Sequence, residues 1–240
     1  MWLYEDEPVS KAIELFKQAN QADPGFAPAY AYLAYSYYIK LIQGYADDPD
    51  LLIEKGLEAA KQAIKHDSRD AMSYFAIGRI LMMKGNHDES IEAFKKSIDL
   101  NPCFAQVYHG LGFVLALAGQ LTESKLTTEK AVDLSPRDPM LWAFTIVHAF
   151  TCILDNDNEE SLQWYRRTMQ LPNVAGYWPH AVKAAASANL DQIDEAHKAL
   201  AKAIEAKPDL SIEFIVKNMP TKTEGGLTPY LTGLRKAGLN

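Results

Sequence analysis

The chain has 240 residues, 48% of them hydrophobic, which is enough to build a sizeable core and too much for a disordered tail. Its formal net charge of −7 repels phosphate backbones and anionic membrane surfaces, so no nucleic-acid partner and no membrane partner are expected. The two cysteines, Cys103 and Cys152, form neither a CxxC nor a disulfide framework and fit a reducing, cytoplasmic setting.

One period runs through the middle of the chain. Pro102 and Pro136 stand 34 residues apart, and the same step relates Tyr74 to Tyr108 to Trp142, Gly78 to Gly112, Gly85 to Gly119 and Ser90 to Ser124. A fixed step repeated at so many positions marks stacked units of two helices, an A helix and a B helix, in place of a single closed core.

In chain order, the stretch Met1 to Glu7 lacks the basic and apolar regions of a secretory leader and is too short and acidic for an A helix. Ala12, Phe16 and Ala19 then form a B helix ending before Pro24. Its missing A partner leads to the expectation that the array starts inside a longer one and belongs to a larger protein. Tyr30, Leu33, Ala34 and Tyr37 form the next A helix. This unit is stretched by ten residues, expected around Gln43 to Asp50 as a longer A helix and an acidic loop. The tyrosines Tyr30, Tyr32, Tyr35, Tyr37 and Tyr38 cannot share one helix face, so some are core and some are not.

Next comes the most regular unit. Gly78 lets its two helices approach, Gly85 closes the A helix in a left-handed cap, and Asn86 with Glu89 reads as a capping box opening the B helix. Ser90, Phe94 and Ser97 supply a small-large-small face before Pro102. Gly112, Gly119 and Ser124 repeat the scheme up to Pro136, with Thr128 in the aromatic place. The unit opened by Trp142 carries about three extra residues near Asp155 to Asn158 and a B helix with Ser161, Tyr165 and Thr168. The apolar run Leu141 to Leu154 inside it is too short for a bilayer. A last unit ends with Ala196, Leu200, Ala203 and Pro208. Residues 211–218 and 227–237 read as two short helices joined by the stretch from Pro220 to Gly226.

This pattern resembles the tetratricopeptide (TPR) repeat over most of the chain. The resemblance implies an all-α fold, a right-handed α-α superhelix or TPR solenoid, with an array over residues 1–208 and C-terminal capping helices over 209–240. The order of features is also similar to the C-terminal TPR regions of bacterial class III adenylate/guanylate cyclases and winged-helix transcriptional regulators. Asp23 to Tyr30, Leu134 to Pro139 with Trp142, and the closing Tyr230-Leu231-Thr232-Gly233-Leu234-Arg235-Lys236-Ala237-Gly238-Leu239 carry that likeness. It implies a sensory or scaffolding role in a signalling protein and transfers no chemistry, because no catalytic or DNA-binding domain is present in these residues.

Residues that could carry chemistry are few. Asp155-x-Asp157-x-Glu159 starts like a calcium loop, but Glu160 stands where glycine is needed and Arg166 where glutamate is, leaving a helix start capped by Asp157. The six histidines contain no i,i+4 pair and no HExxH, so no metal is expected. Gly110-x-Gly112 lacks the third glycine of a dinucleotide loop. No nucleophile motif occurs. The chain is read as no enzyme and as needing no cofactor.

The resemblance further implies that inward positions of the A helices line a concave groove. Transferred here, these are Pro28, Ala31, Tyr35 and Tyr38, then Met72, Phe75, Arg79 and Met82, then Gln106, His109, Phe113 and Ala116. Only Arg79 suits a carboxylate clamp. The expected partner is a protein or peptide, an apolar segment or helix with an acidic group opposite Arg79. The alternatives are that several of these tyrosines and methionines are covered by the chain itself, by the long helix around Tyr38 to Gly44 or by the C-terminal cap, that the chain is a free-standing adaptor forming a homo-oligomer, and that it is a small-molecule-binding repeat domain.

Overall fold

In a computed structural model of the protein, which describes residues 6–223 and 225–240, the described residues form thirteen α-helices and no strand. Residues 1–5, most of the acidic stretch read above as too short for an A helix, lie outside the described residues, and Asp6 and Glu7 open the first helix. The chain divides into two compact units, residues 1–111 and 112–240.

The first unit contains α1 (Asp6–Ala22), α2 (Ala27–Ile42), α3 (Pro49–His66), α4 (Ala71–Lys84), α5 (His87–Leu100) and the start of α6 (Ala105–Leu117). From α1 to α5 each helix packs on the next, and α2 also packs on α4. An A helix that touches both its B neighbours and the following A helix is the contact pattern of stacked helical hairpins. The ten extra residues are shared out: relative to α4 and α5, α2 has two more, α3 has four more and the loop between them has four more. The B helix is thus lengthened as well as the expected A helix and loop. Asp48 accepts from Leu51 N at 3.0 Å and Asp70 from Ser73 N at 2.9 Å, so α3 and α4 each start on a side-chain cap.

The B helix α5 starts differently. Asn86 caps nothing with its side chain; its amide donates to the Glu89 carboxylate at 3.0 Å, so the expected reciprocal capping box is absent. The helices are joined instead through the backbone: Gly85 has φ 82°, and Asn86 N donates to Leu81 O at 3.0 Å. This is a Schellman closure, in which the left-handed residue turns the chain directly into the B helix.

The second unit holds the rest of α6, then α7 (Leu121–Leu134), α8 (Leu141–Leu154), α9 (Asn158–Thr168), α10 (Trp178–Asn189), α11 (Ile193–Ala206), α12 (Ile212–Asn218) and α13 (Thr228–Lys236). Gly119 repeats the left-handed closure with φ 80°, and Asn156 (φ 61°) and Asp191 (φ 57°) take the same place after α8 and α10. Gln120, Asp157 and Gln192 donate back to Leu115, Cys152 and Ser187, each at 2.9 Å. Trp142 stands fourteen residues before Asn156, where Tyr108 stands eleven before Gly119. Two of the three extra residues therefore lie in the loop before α8, which spans 135–140 where the loop before α6 spans 101–104, and one lies in α8 itself, not in the turn near Asp155 where they were expected.

Seven residues before each of Gly85, Gly119, Asn156 and Asp191 stands a small residue, and five after it another. In α4 and α5 these are Gly78 and Ser90, with Ser90 Oγ donating to Gly78 O at 2.6 Å. Gly112 and Ser124 repeat the bond at 2.7 Å. A Cβ on Gly78 would meet the Phe94 ring at 2.7 Å, and one on Gly112 the Thr128 methyl at 2.5 Å, so both glycines set the helix spacing. Ala149 takes the glycine place in α8, and its partner Ser161 is buried with no bond to its hydroxyl. In α10 and α11 the pair is Ala184 and Ala196, both fully buried.

The closing helix α13 lies on the A helices α10 and α8. Lys222 N donates to Leu117 O at 3.1 Å as the chain crosses back, and Asn189 Nδ2 donates to Pro229 O at 3.1 Å. Tyr230 is fully buried, edge-on to Phe150 at 5.1 Å. No helix among the described residues is long and apolar enough to cross a membrane.

Candidate functional site

In the first unit, the A helices bring Tyr35, Tyr38, Phe75, Arg79 and His109 together. Arg79 is the chemical centre: a guanidinium on α4, only 3% exposed. Its Nη2 bonds His109 Nδ1 at 2.7 Å and its Nη1 donates to Tyr38 OH at 3.4 Å. Arginine can only donate, so Nδ1 is the acceptor and the imidazole proton sits on Nε2. Burial, with the Arg79 charge beside it, holds His109 well below the usual histidine range and therefore neutral.

Aromatic faces do the rest. Arg79 Cζ lies 5.2 Å from the Tyr38 ring centre, 5.1 Å from Phe75 and 5.9 Å from Phe94, within reach of cation–π attraction. Room for the group comes from α6, where a Cβ on Gly110 would stand 2.7 Å from the Phe94 ring and 3.2 Å from Arg79 Cζ. Tyr35 closes the cluster, stacked on Tyr38 at 5.7 Å and tilted on Phe75 at 5.4 Å. Among the described residues no carboxylate pairs with Arg79, and its Nε has no hydrogen-bond partner. A buried cation served only by neutral acceptors and π faces keeps an unmet demand for negative charge.

The positions expected to line a groove separate into two sets. Tyr35, Met72, Gln106 and His109 are part-exposed. Tyr38, Phe75, Arg79 and Met82 are buried, as is Ala31, because the A helices pack on one another along this face. Phe113 belongs to the second unit, where it is buried against Trp178 at 5.3 Å and Phe150 at 6.1 Å. Met82 and Phe113 are therefore core residues and not contact residues. The five tyrosines divide as the helix geometry requires: Tyr37 and Tyr38 are buried, Tyr30 stacks on His66, and Tyr32 is exposed and stacks on Phe16.

The second unit contains a grouping that the search for paired histidines passed over. His148 and Cys152 on α8 and Glu160 on α9 present ligand-type atoms all within 4.8 Å of one another. The sequence signal was a histidine and a cysteine four residues apart inside an apolar helix.

Residues 78–119 match the sequence pattern of the TPR repeat. Comparison with curated proteins gives no match. Among solved structures, a component of the Cut9–Hcn1 hetero-tetramer of the APC/C superposes with TM-score 0.73 at 14% identity, over 98% of this chain and 44% of that one. PilF of Pseudomonas aeruginosa gives 0.59 at 17%, over 85% and 94% of the two chains. YrrB, described as a TPR protein with an unusual peptide-binding site, gives 0.51 at 19%, over 82% and 94%. At these identities the likeness is one of fold: the chain is an all-α helical-repeat protein with the fold of these TPR structures, and residues 78–119 carry the TPR repeat pattern.

Proposed function

We propose that the chain is a non-catalytic protein-interaction scaffold whose first unit holds an apolar peptide segment or partner helix against α2, α4 and the start of α6, with one ligand carboxylate meeting Arg79. The carrying observation is Arg79 itself, 3% exposed, with no acidic partner among the described residues and an unbonded Nε. Part-exposed Tyr35 and His109 border it and supply the apolar rim. Peptide recognition described for YrrB, on the same fold, agrees with this choice of ligand.

The test is selection from a random peptide library by wild type and by Arg79→Met. Wild type is expected to enrich apolar peptides carrying an acidic side chain or free C-terminus, and Arg79→Met to bind the same peptides about 10- to 100-fold more weakly. Peptides without any acid enrichment, bound equally by both proteins, would remove the carboxylate from the reading. Tyr35→Ala is the second probe of the rim, since Phe75 and Phe113 are core residues whose loss perturbs the fold.

The setting we infer is a bacterial signalling protein in the cytoplasm. It rests on the likeness of the closing segment from Tyr230 to Leu239 to cyclase and regulator tails, and two free cysteines agree with a reducing compartment. Deleting the gene is expected to change cyclic-nucleotide or transcript levels in the host, and unchanged levels would favour an adaptor. One observation supports that second reading: Tyr32 is 47% exposed and stacked on Phe16, an apolar pair suited to self-association. Light scattering showing a strict monomer at high concentration would dispose of it.

A further inference from the structure

We propose that the second unit carries a transition-metal site of the zinc class, built from His148 Nε2, Cys152 Sγ and Glu160 Oε1. His148 and Cys152 are four residues apart and so share one face of α8, and Glu160 reaches them from the first turn of α9, which packs on α8. The three ligand atoms lie within 4.8 Å of one another. Nitrogen, sulfur and oxygen donors in this combination are those that zinc takes.

The orientation of His148 makes this more than a chance grouping. Its ring is 1% exposed, and Nδ1 lies 2.8 Å from the Thr128 hydroxyl. That hydroxyl faces two backbone acceptors, Ser124 O at 3.0 Å and Lys125 O at 2.9 Å, so its own proton is spent on the backbone and its lone pair receives Nδ1–H. The tautomer is thereby fixed with the lone pair on Nε2. Among the described residues this atom has no hydrogen-bond partner, and it faces Glu160 Oε1 at 3.6 Å. A buried lone pair aimed at a carboxylate, with a thiol beside both, leaves a place for a cation.

The surroundings suit the loaded state. Lys125 Nζ holds Glu160 Oε2 at 3.2 Å and leaves Oε1 turned to the histidine, while its charge is paired with Asp155 at 2.8 Å. A divalent ion with one carboxylate and one thiolate is neutral inside the unit. The thiol, which burial pushes up, would release its proton to water on binding, as metal ligation requires. Trp164 lies stacked on the His148 ring at 4.0 Å and fixes its plane. Tetrahedral ligands at zinc distances stand about 3.4–3.6 Å apart, so loading draws the cluster in by about an ångström at its widest, the thiol giving up its proton to water and becoming the thiolate as it closes. Glu160, one third exposed, has the freedom to make that move and opens the fourth position to a water. The bound ion would pin α8 to α9.

Cobalt(II) tests this without reference to any activity. The chelator-treated chain carrying Cys103→Ser, which leaves Cys152 as its only thiol, is titrated with cobalt and then with zinc. One equivalent of cobalt is expected to give a thiolate-to-metal charge-transfer band and tetrahedral d–d bands, both abolished by zinc, and zinc is expected to raise the melting temperature. Cys152→Ser should lose the band. Glu160→Gln, at a part-exposed position whose backbone N–H still caps on Asp157, should fold and bind at least about 10-fold more weakly. No charge-transfer band in the Cys103→Ser chain, or equal metal affinity in Glu160→Gln, overturns the proposal.

Discussion

The Arg79 guanidinium is held against His109 Nδ1 at 2.7 Å, so the partner of a buried cation in the first unit is a neutral base and not an acid. Hydrogen bonding and three aromatic faces offset part of the cost of taking the charge out of water. They do not cancel the charge. This separates the group from a structural salt bridge, in which both partners belong to the chain.

Replacing Arg79 by methionine is therefore expected to leave stability unchanged or raise it by about 1 kcal/mol, since an apolar side chain of similar length removes an uncompensated buried charge. Chemical denaturation checks this. A loss of more than about 3 kcal/mol, the size seen when one member of a buried pair is removed, would show that Arg79 is a structural group with a partner to lose.

His109 gives the pH dependence its sign. Its folded pKa lies well below the unfolded value near 6.5, because burial and the Arg79 charge both oppose protonation. Between those two values the unfolded chain binds the extra proton. Stability is thus fully present above pH ~6.5 and falls as pH drops, by up to about 1.4 kcal/mol per pH unit from this one group. Other histidines, His180 among them, shift in the same direction, so the measurement is a difference. Unfolding free energies of wild type and His109→Gln, followed from pH 7.5 to 5, should converge as pH falls. Parallel curves would mean that His109 titrates normally in the folded chain.

What the sequence made legible follows from how each feature is encoded. Gly78, Gly85, Gly112 and Gly119 were visible because only glycine satisfies a close helix approach or a positive φ cheaply, and identical residues repeat at an identical step. Asn156 and Asp191 do the same work and were missed, because asparagine and aspartate tolerate the left-handed region without announcing it. Burial was read less well. Inward A-helix positions were assigned to a ligand, yet Met82 and Phe113 are covered by the chain itself, and no local pattern distinguishes a lining residue from a packed one on a helix as apolar as α6 or α8. Glu160 joins His148 and Cys152 only through helix pairing, which a search along the chain for histidine pairs cannot detect.

The left-handed positions yield a paired expectation. Asn156→Gly and Asp191→Gly should each stabilise by about 0.5–1 kcal/mol, since glycine removes the Cβ penalty in a conformation the fold already demands. Gly119→Ala should destabilise by at least about 1 kcal/mol, although open space surrounds the added methyl, because the cost lies in its φ of 80°. Melting all three variants decides the matter. Stabilisation by Gly119→Ala would show that the turn relaxes out of the left-handed region.

The closing segment offers the sharpest contrast between motif and reason. Its Tyr230 and Gly233 were noted only as a likeness, and packing now accounts for both. Tyr230 is buried against Phe150, and a Cβ on Gly233 would fall within 2.8 Å of the Ala185 backbone on α10. Backbone inside a helix cannot step aside as a side-chain tip can, so Gly233→Ala must lift α13 off α10. The expected loss is at or above the upper end of the about 1–3 kcal/mol typical of overpacking. Hydrogen exchange should then quicken at amides of α13 and along α10, while α4 and α5 in the first unit stay as protected as in wild type. A Gly233→Ala protein that melts with wild type and protects α13 equally would show that the helix docks without close contact, and the glycine would need another explanation.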